Sequence, residues 1–181
     1  MRIKGVLISF LALITFLGFS PIEKASASDS VNEVGNRIDT SKNYYIVPAD
    51  LPTRGLIFRP LSNSVLSVQV SPIGNTVEKP SATPVKLHFS EKNQKYRIGM
   101  PMNIMGNHGS FWFWASGNGV YFDWQENNAT YWTITPVEGG YTIQAEDRYL
   151  YYKDVISPMH GPLTVAHLGK EEVVWKLVSA P

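Results

Sequence analysis

The stretches between turn residues in this sequence are short, and many of them alternate apolar with polar side chains. After residue 27, Pro, Gly, Ser and Asn recur every few positions, and no long stretch carries the i, i+3, i+4 apolar spacing of a helix. The remaining runs are rich in β-branched and aromatic residues, which favour strands. The clearest runs are residues 44–47, 66–70, 85–89, 132–134, 141–143 and 174–177. This pattern predicts an all-β fold.

Three of the predicted strands recur at a regular interval. Their centres, Leu87, Trp132 and Trp175, are spaced by about 45 residues, and the domain divides into three units of about 50 residues. Three four-stranded units that close a pseudo-threefold barrel form a β-trefoil, in which closure removes the exposed sheet edges. The interval therefore favours a β-trefoil, and a β-sandwich is left as the alternative.

The N-terminal segment has the features of a secretory signal peptide. Two basic residues precede an apolar run over residues 5–19, and the segment ends in a small-x-small pattern at residues 25–27. The run is about 15 residues long, whereas a helix needs roughly 20 to cross a bilayer. We therefore predict a signal peptide over residues 1–27, cleaved to leave one domain over residues 28–181. We expect a secreted protein, in the apoplast or vacuole if the source is a plant, without a membrane anchor.

The sequence contains no cysteine and carries almost no net charge. Its formal net charge of +1 gives no strong field to attract nucleic acid or an acidic surface. Without cysteine, disulfides and thiolate-bound zinc or iron–sulfur sites are excluded. Packing must then hold the fold, and 5 Trp, 9 Tyr and 8 Phe supply large side chains for it. We expect a soluble monomer that binds neither nucleic acid nor membrane.

No pattern typical of catalysis or of metal binding occurs in the sequence. His88, His108, His160 and His167 lack the i, i+4 pairing of a helical metal site. A G-x-S-x-G nucleophile element and a cysteine nucleophile are both absent, and the neighbouring acids are typical of solvated loops. The sequence therefore predicts a binding protein that is not an enzyme and uses no metal or cofactor.

Aromatic residues are concentrated in one part of the sequence. Residues 111–114 read Phe-Trp-Phe-Trp, and Tyr121, Phe122 and Trp124 follow shortly after. We expect most of these rings to pack inside a domain that lacks disulfides, although alternating strands would expose some of them for stacking on sugars or on a protein. Just beyond them, an Asn-Ala-Thr sequon makes Asn128 a candidate for N-glycosylation in a eukaryote.

Several segments resemble the soybean Kunitz-type inhibitors and the miraculin-like proteins. Residues 35–48, GNRIDTSKNYYIVP, resemble the opening of these proteins, and residues 66–72, LSVQVSP, resemble one of their strands. Further similarities follow in order at residues 84–89, 102–104, 132–134, 140–143 and 163–165. Family members usually carry two disulfides, whereas here Ser64 stands at the place of the first cysteine. The resemblance implies a divergent, cysteine-free β-trefoil that inhibits proteases.

The resemblance also implies a reactive loop. In this family a convex loop between the fourth and fifth strands enters the cleft of a serine protease in substrate-like form. The matching segment comprises Ser90, Glu91, Lys92, Asn93, Gln94 and Lys95. The family's spacing makes Lys92 the residue before the reactive bond (P1), with Lys95 and Arg97 as fallbacks. A basic P1 side chain suits a trypsin-like pocket, which has an Asp at its base.

The support and the target of that loop are implied in the same way. An Asn of the N-terminal segment braces the loop in many family members; Thr40 stands at that position here, and Asn36 is a further candidate. The implied partner is a secreted or digestive endopeptidase, with the serine type favoured. Two alternatives are a cysteine-protease inhibitor that uses another loop and a non-inhibitory trefoil with a lectin-like, storage or signalling role.

Overall fold

The structure, a computed structural model, describes residues 37–62, 65–104 and 107–181. These residues form twelve β-strands and one three-residue 3-10 helix, and the all-β prediction is confirmed. The predicted signal peptide at residues 1–27 and the candidate support residue Asn36 lie outside the described residues. In the described part of the chain, no helix is long and apolar enough to cross a membrane.

The strands form where the sequence has its short β-branched and aromatic runs. Each of the six runs that the sequence pattern marked falls wholly or mostly within a strand. The strands are β1 (Asn43–Pro48), β2 (Leu56–Ser62), β3 (Val65–Val70), β4 (Val85–Ser90), β5 (Lys95–Ile104), β6 (Asn107–Ser116), β7 (Gly119–Asp123), β8 (Trp132–Val137), β9 (Gly140–Ala145), β10 (Arg148–Ser157), β11 (Gly161–Gly169) and β12 (Trp175–Ala180). The 3-10 helix, Glu126–Asn128, lies between β7 and β8.

Six of the strands are joined by a circuit of antiparallel pairings. β1 pairs with β4, β4 with β5, β5 with β8, β8 with β9, β9 with β12, and β12 with β1. The other six strands form the hairpins β2–β3, β6–β7 and β10–β11. One strand of each hairpin pairs with its counterparts in the other two, through β3–β7, β3–β11 and β7–β11. The chain therefore leaves the circuit three times, each time to form a hairpin.

The three residues that the sequence interval marked lie together in the core. Leu87, Trp132 and Trp175 are each at most 1% exposed, and they belong to β4, β8 and β12, every fourth strand. The indole Nε1–H of Trp175 donates a hydrogen bond to the carbonyl oxygen of Leu150 at 2.9 Å, which ties β12 to β10. The ring of Phe113 packs edge-on against Trp132. The interval in the sequence thus marks positions that fill one common core.

The first and last strands are paired with each other along their whole length. Six residue pairs, from Asn43 opposite Ala180 to Pro48 opposite Trp175, join β1 to β12. Because the chain has no cysteine, no covalent bond fastens these ends. The backbone pairing of β1 with β12 and the side-chain packing beneath it must therefore hold the two ends together.

The buried indole groups provide a matched pair for testing this packing. Trp132 and Trp175 are both fully buried, but the Nε1–H of Trp132 has no hydrogen-bond partner among the described residues. Replacing either residue by Phe removes similar volume, and only Trp175→Phe breaks a buried hydrogen bond and leaves the Leu150 carbonyl without it. We expect Trp175→Phe to lower the free energy of unfolding, measured in urea, by about 1–3 kcal/mol more than Trp132→Phe does. Equal losses would show that this hydrogen bond contributes no stability.

Candidate functional site

The segment predicted as the reactive loop is a tight turn between β4 and β5. β4 ends at Ser90 and β5 begins at Lys95, so that only residues 91–94 connect them, and all four are exposed. The backbone N–H of Gln94 donates to the carbonyl oxygen of Ser90 at 2.7 Å, which closes one helix-like turn. Gln94 has a φ of +53°, in the left-handed region that few non-glycine residues adopt.

Side-chain hydrogen bonds hold this turn further. The hydroxyl oxygen of Ser90 accepts a hydrogen bond from Asn93 Nδ2 at 3.1 Å, and Gln94 Nε2 donates to the carbonyl oxygen of Glu91 at 2.7 Å. Small polar side chains commonly stabilise turns by such local bonds. Four of the six predicted loop residues therefore take part in the hydrogen bonds that shape the turn, and the side chain of Lys92 is left exposed at its tip.

The turn also contacts the N-terminal segment through a residue that the sequence did not suggest. Arg37 donates from both terminal nitrogens to the carboxylate of Glu91, at 2.7 and 3.2 Å. The same guanidinium lies 4.5 Å from the ring centroid of Phe89. Among the hydrogen bonds of the described residues, none joins Thr40 to the turn. Among the described residues, Arg37 therefore braces the turn through its ion pair with Glu91. Asn36 lies outside those residues, so its support of the loop stays a prediction.

The conformation of the turn differs from the substrate-like loop that the resemblance implied. Five extended residues would separate Ser90 from Gln94 by about 13 Å. Here the Ser90 carbonyl and the Gln94 amide are in hydrogen-bonding contact. The physical reason is the bonding just described, which favours a compact turn over an extended strand. The Lys92–Asn93 peptide bond is therefore not presented in extended form.

The fallback P1 residues are less accessible than Lys92. Lys95 is the first residue of β5, opposite Ser90 in the hairpin, and it is half-buried. Arg97 lies further into β5, where its Nη1 forms an ion pair with Glu126 Oε1 at 2.6 Å. Its guanidinium is packed against the rings of Trp112 and Tyr131, at 5.1 and 5.8 Å. Among the three candidates, the geometry favours Lys92 as the residue that can reach a partner.

The aromatic segment contributes both to the core and to the surface. Trp112 and Phe113 are buried, as expected from packing, whereas Trp114 is 37% exposed and Trp124 is 76% exposed. A groove of about 420 Å³ lies beside Trp124, and we call it the Trp112–Trp124 groove. Its lining residues are Gly109, Ser110, Trp112, Trp124 and Glu126. The sequence could indicate that some rings are exposed but not that they share a groove with a carboxylate.

The predicted glycosylation site lies next to this groove. Asn128 is exposed at the end of the 3-10 helix, and its Nδ2 donates to Asp123 Oδ2 at 2.7 Å. The hydroxyl oxygen of Thr130, the third residue of the sequon, accepts a hydrogen bond from the amide of Ala115 at 2.8 Å. An exposed asparagine is accessible to glycosylation, which stays a prediction here.

Burial and neighbouring charges affect one histidine beside the groove. The ring of His88 lies 4.9 Å from that of Trp112. Burial lowers the pKa of His88 from its ordinary value of 6.5, and the positive charges of Arg97 and Lys86 lower it further. Burial also lowers the pKa of His167. Both histidines therefore stay neutral in the folded protein at a pH where the unfolded chain binds protons.

Acidification should reveal this difference in proton binding. Below about pH 6.5 the unfolded chain takes up protons that folded His88 does not, so the free energy of unfolding should fall between pH 7 and pH 5. We expect His88→Gln to reduce this decline, because the variant lacks the imidazole whose pKa is lowered by burial. Urea titrations at several pH values measure the slope. An undiminished decline in His88→Gln would show that His88 does not contribute to it.

The fold of this chain is similar to that of several solved structures, whereas its sequence matches no family model and no curated protein. A solved structure of the water-soluble chlorophyll protein from Brassica oleracea var. Botrytis with chlorophyll b is similar at a TM-score of 0.59 and 16% identity, over 81% of this chain and 95% of that one. The rice bifunctional α-amylase/subtilisin inhibitor from Oryza sativa is similar at 0.51 and 17% identity, over 77% and 92%.

These two neighbours are both Kunitz-type trefoil proteins. A structure of the lysenin pore is also similar, at a TM-score of 0.55 and 19% identity, over 77% of this chain and 46% of that one. At identities below 20%, such likeness shows the fold alone. The chain therefore shares an all-β architecture with Kunitz-type trefoil proteins.

Proposed function

We propose that this protein is a Kunitz-type inhibitor with a β-trefoil fold, which binds a secreted endopeptidase and catalyses no reaction itself. The circuit of six strands, interrupted by three hairpins, supports the three-unit trefoil plan. The likeness to the rice α-amylase/subtilisin inhibitor supports an inhibitory role, whereas another similar Kunitz-type trefoil is a chlorophyll protein. A binder of this kind needs an exposed element with a fixed conformation, since ordering a flexible segment would cost affinity.

The observation that carries the proposal is the fixed, exposed turn with Lys92 at its tip. Its backbone is closed by the Ser90–Gln94 hydrogen bond and is braced by the ion pair between Arg37 and Glu91. A lysine on such a turn presents a compact positive charge, which complements an acidic specificity pocket of the trypsin type. Serine proteases are the favoured targets for this reason.

The compact turn suggests a mode of inhibition that differs from that of a substrate-like loop. A peptide bond must lie extended and near the nucleophile to be attacked. In the turn the bond after Lys92 is folded back within a hydrogen-bonded ring. We therefore propose that Lys92 occupies the pocket and blocks the cleft without offering its peptide bond for cleavage.

The charge of Lys92 is the first feature to test. The measurement is a titration of trypsin, subtilisin, papain and α-amylase with the purified domain. We expect trypsin to be inhibited and Lys92→Met to raise the inhibition constant about 30-fold or more, because removing one partner of a desolvated charge pair costs about 2–5 kcal/mol.

The controls separate the site from the function. The exposed Lys170 lies in the connection between β11 and β12, so Lys170→Met should not alter inhibition. Inhibition that is unchanged in Lys92→Met would move the site elsewhere, and inhibition of papain alone would favour a cysteine-protease inhibitor. No inhibition of any of the four enzymes would reject the proposal in favour of a non-inhibitory trefoil.

The ion pair that braces the turn gives a second test. Arg37 and Glu91 are more than half exposed, so breaking their pair should change the free energy of unfolding by at most about 1 kcal/mol. We expect Arg37→Gln and Glu91→Gln each to weaken inhibition several-fold by loosening the turn. The double variant should be no weaker than either single one, because both changes remove the same contact. Strictly additive losses would show that the two side chains act independently.

A further inference from the structure

The Trp112–Trp124 groove combines an exposed aromatic ring with a fixed carboxylate. Trp124 is 76% exposed, although burial of such a ring is strongly favourable in water. Its position is set by the polar residues around it: Asp123 Oδ1 accepts a hydrogen bond from the amide of Gln125 at 2.7 Å, and Asp123 Oδ2 accepts one from Asn128. The ring is therefore held at the surface on an ordered segment.

The carboxylate of Glu126, which also lines the groove, is held in place by an ion pair. Its Oε1 is 2.6 Å from Nη1 of Arg97, and the guanidinium of Arg97 is packed against Trp112 and Tyr131. The Nε of Arg97 is buried without a hydrogen-bond partner among the described residues. A carboxylate offers about four acceptor positions, so Glu126 can accept hydroxyl protons while it is paired with Arg97.

We propose that this groove binds a pyranose unit of a neutral oligosaccharide. A pyranose has an apolar face of C–H groups and an edge of hydroxyls. The face would stack on Trp124, and the edge would donate hydrogen bonds to Glu126 and share them with the hydroxyl of Ser110. The groove is shallow and open to solvent, with a volume of about 420 Å³, so it would contact one face of the sugar and leave the other face in solvent.

The charges around the groove favour a sugar over a lipid surface. Residues 123–131 contain Asp123 and Glu126 and no lysine or arginine. Arg97 adds one positive charge at the groove, and that charge is already paired with Glu126. The site therefore has no net positive charge with which to attract the negative surface of a membrane. A neutral sugar needs no such attraction. The proposed site does not include the β4–β5 turn, so it goes beyond the inhibitory function and can succeed or fail independently of it.

The test is binding of chitotetraose, cellotetraose and mannotetraose to the domain produced in bacteria, where Asn128 carries no sugar. Calorimetry gives the affinity, and tryptophan fluorescence reports on Trp124. We expect at least one tetrasaccharide to bind, Trp124→Ala to weaken binding at least 10-fold, and Glu126→Gln to weaken it several-fold. The matched control is Trp114→Ala, since Trp114 is also exposed but does not line the groove.

Each result decides for or against the groove. Binding that is lost in Trp124→Ala and kept in Trp114→Ala supports the proposal. Binding that survives Trp124→Ala overturns it, because the sugar then lies elsewhere. Absence of binding to all three sugars also overturns it. If the domain instead binds phosphatidylserine-containing vesicles through Trp124, the groove recognises lipid and the proposal is wrong. Protease inhibition is measured on the same variants, so a failure of one function is not mistaken for a failure of the other.

Discussion

The pairing of β1 with β12 is the interaction on which the rest of the structure depends. Six residue pairs join the two strands, whereas β1 is joined to β4 by only two. Without cysteine, this long ladder is what closes the circuit of strands and keeps the N-terminal segment beside β4. Trp175 begins β12 and sends its indole into the core, so closure of the ladder and packing of the core stabilise each other.

Both proposed binding surfaces lie next to strands of this circuit. The β4–β5 turn connects two neighbouring circuit strands, and Arg37, just before β1, reaches back to brace it. The Trp112–Trp124 groove begins one strand further on, where Trp112 of β6 faces Gly99 of β5 and Arg97 packs against its ring. A rigid sheet with surface features at its connections is a common arrangement for binding proteins, because the scaffold fixes what the loops present.

The sequence predicted the elements better than it predicted their contacts. Alternation and residue type are local signals, so six of the twelve strands could be placed, and the interval of Leu87, Trp132 and Trp175 marked three core positions. The pairs Arg37–Glu91 and Arg97–Glu126 are far apart in the chain and depend on strand register, which local patterns do not encode. The family resemblance located the turn but implied an extended loop. The left-handed backbone of Gln94 and the capping by Ser90 made it compact instead.

The most direct test of the central claim, that the β1–β12 ladder closes a disulfide-free fold, is amide hydrogen exchange of the folded domain. If the ladder closes the circuit, the amides of β1 and β12 should exchange as slowly as those of the β8–β9 hairpin, through global unfolding. The exchange rates of all these amides should also rise in parallel when low concentrations of denaturant destabilise the domain. Exchange of β12 that is orders of magnitude faster than that of β8 and β9 would contradict the claim, because the last strand would then open without unfolding the rest.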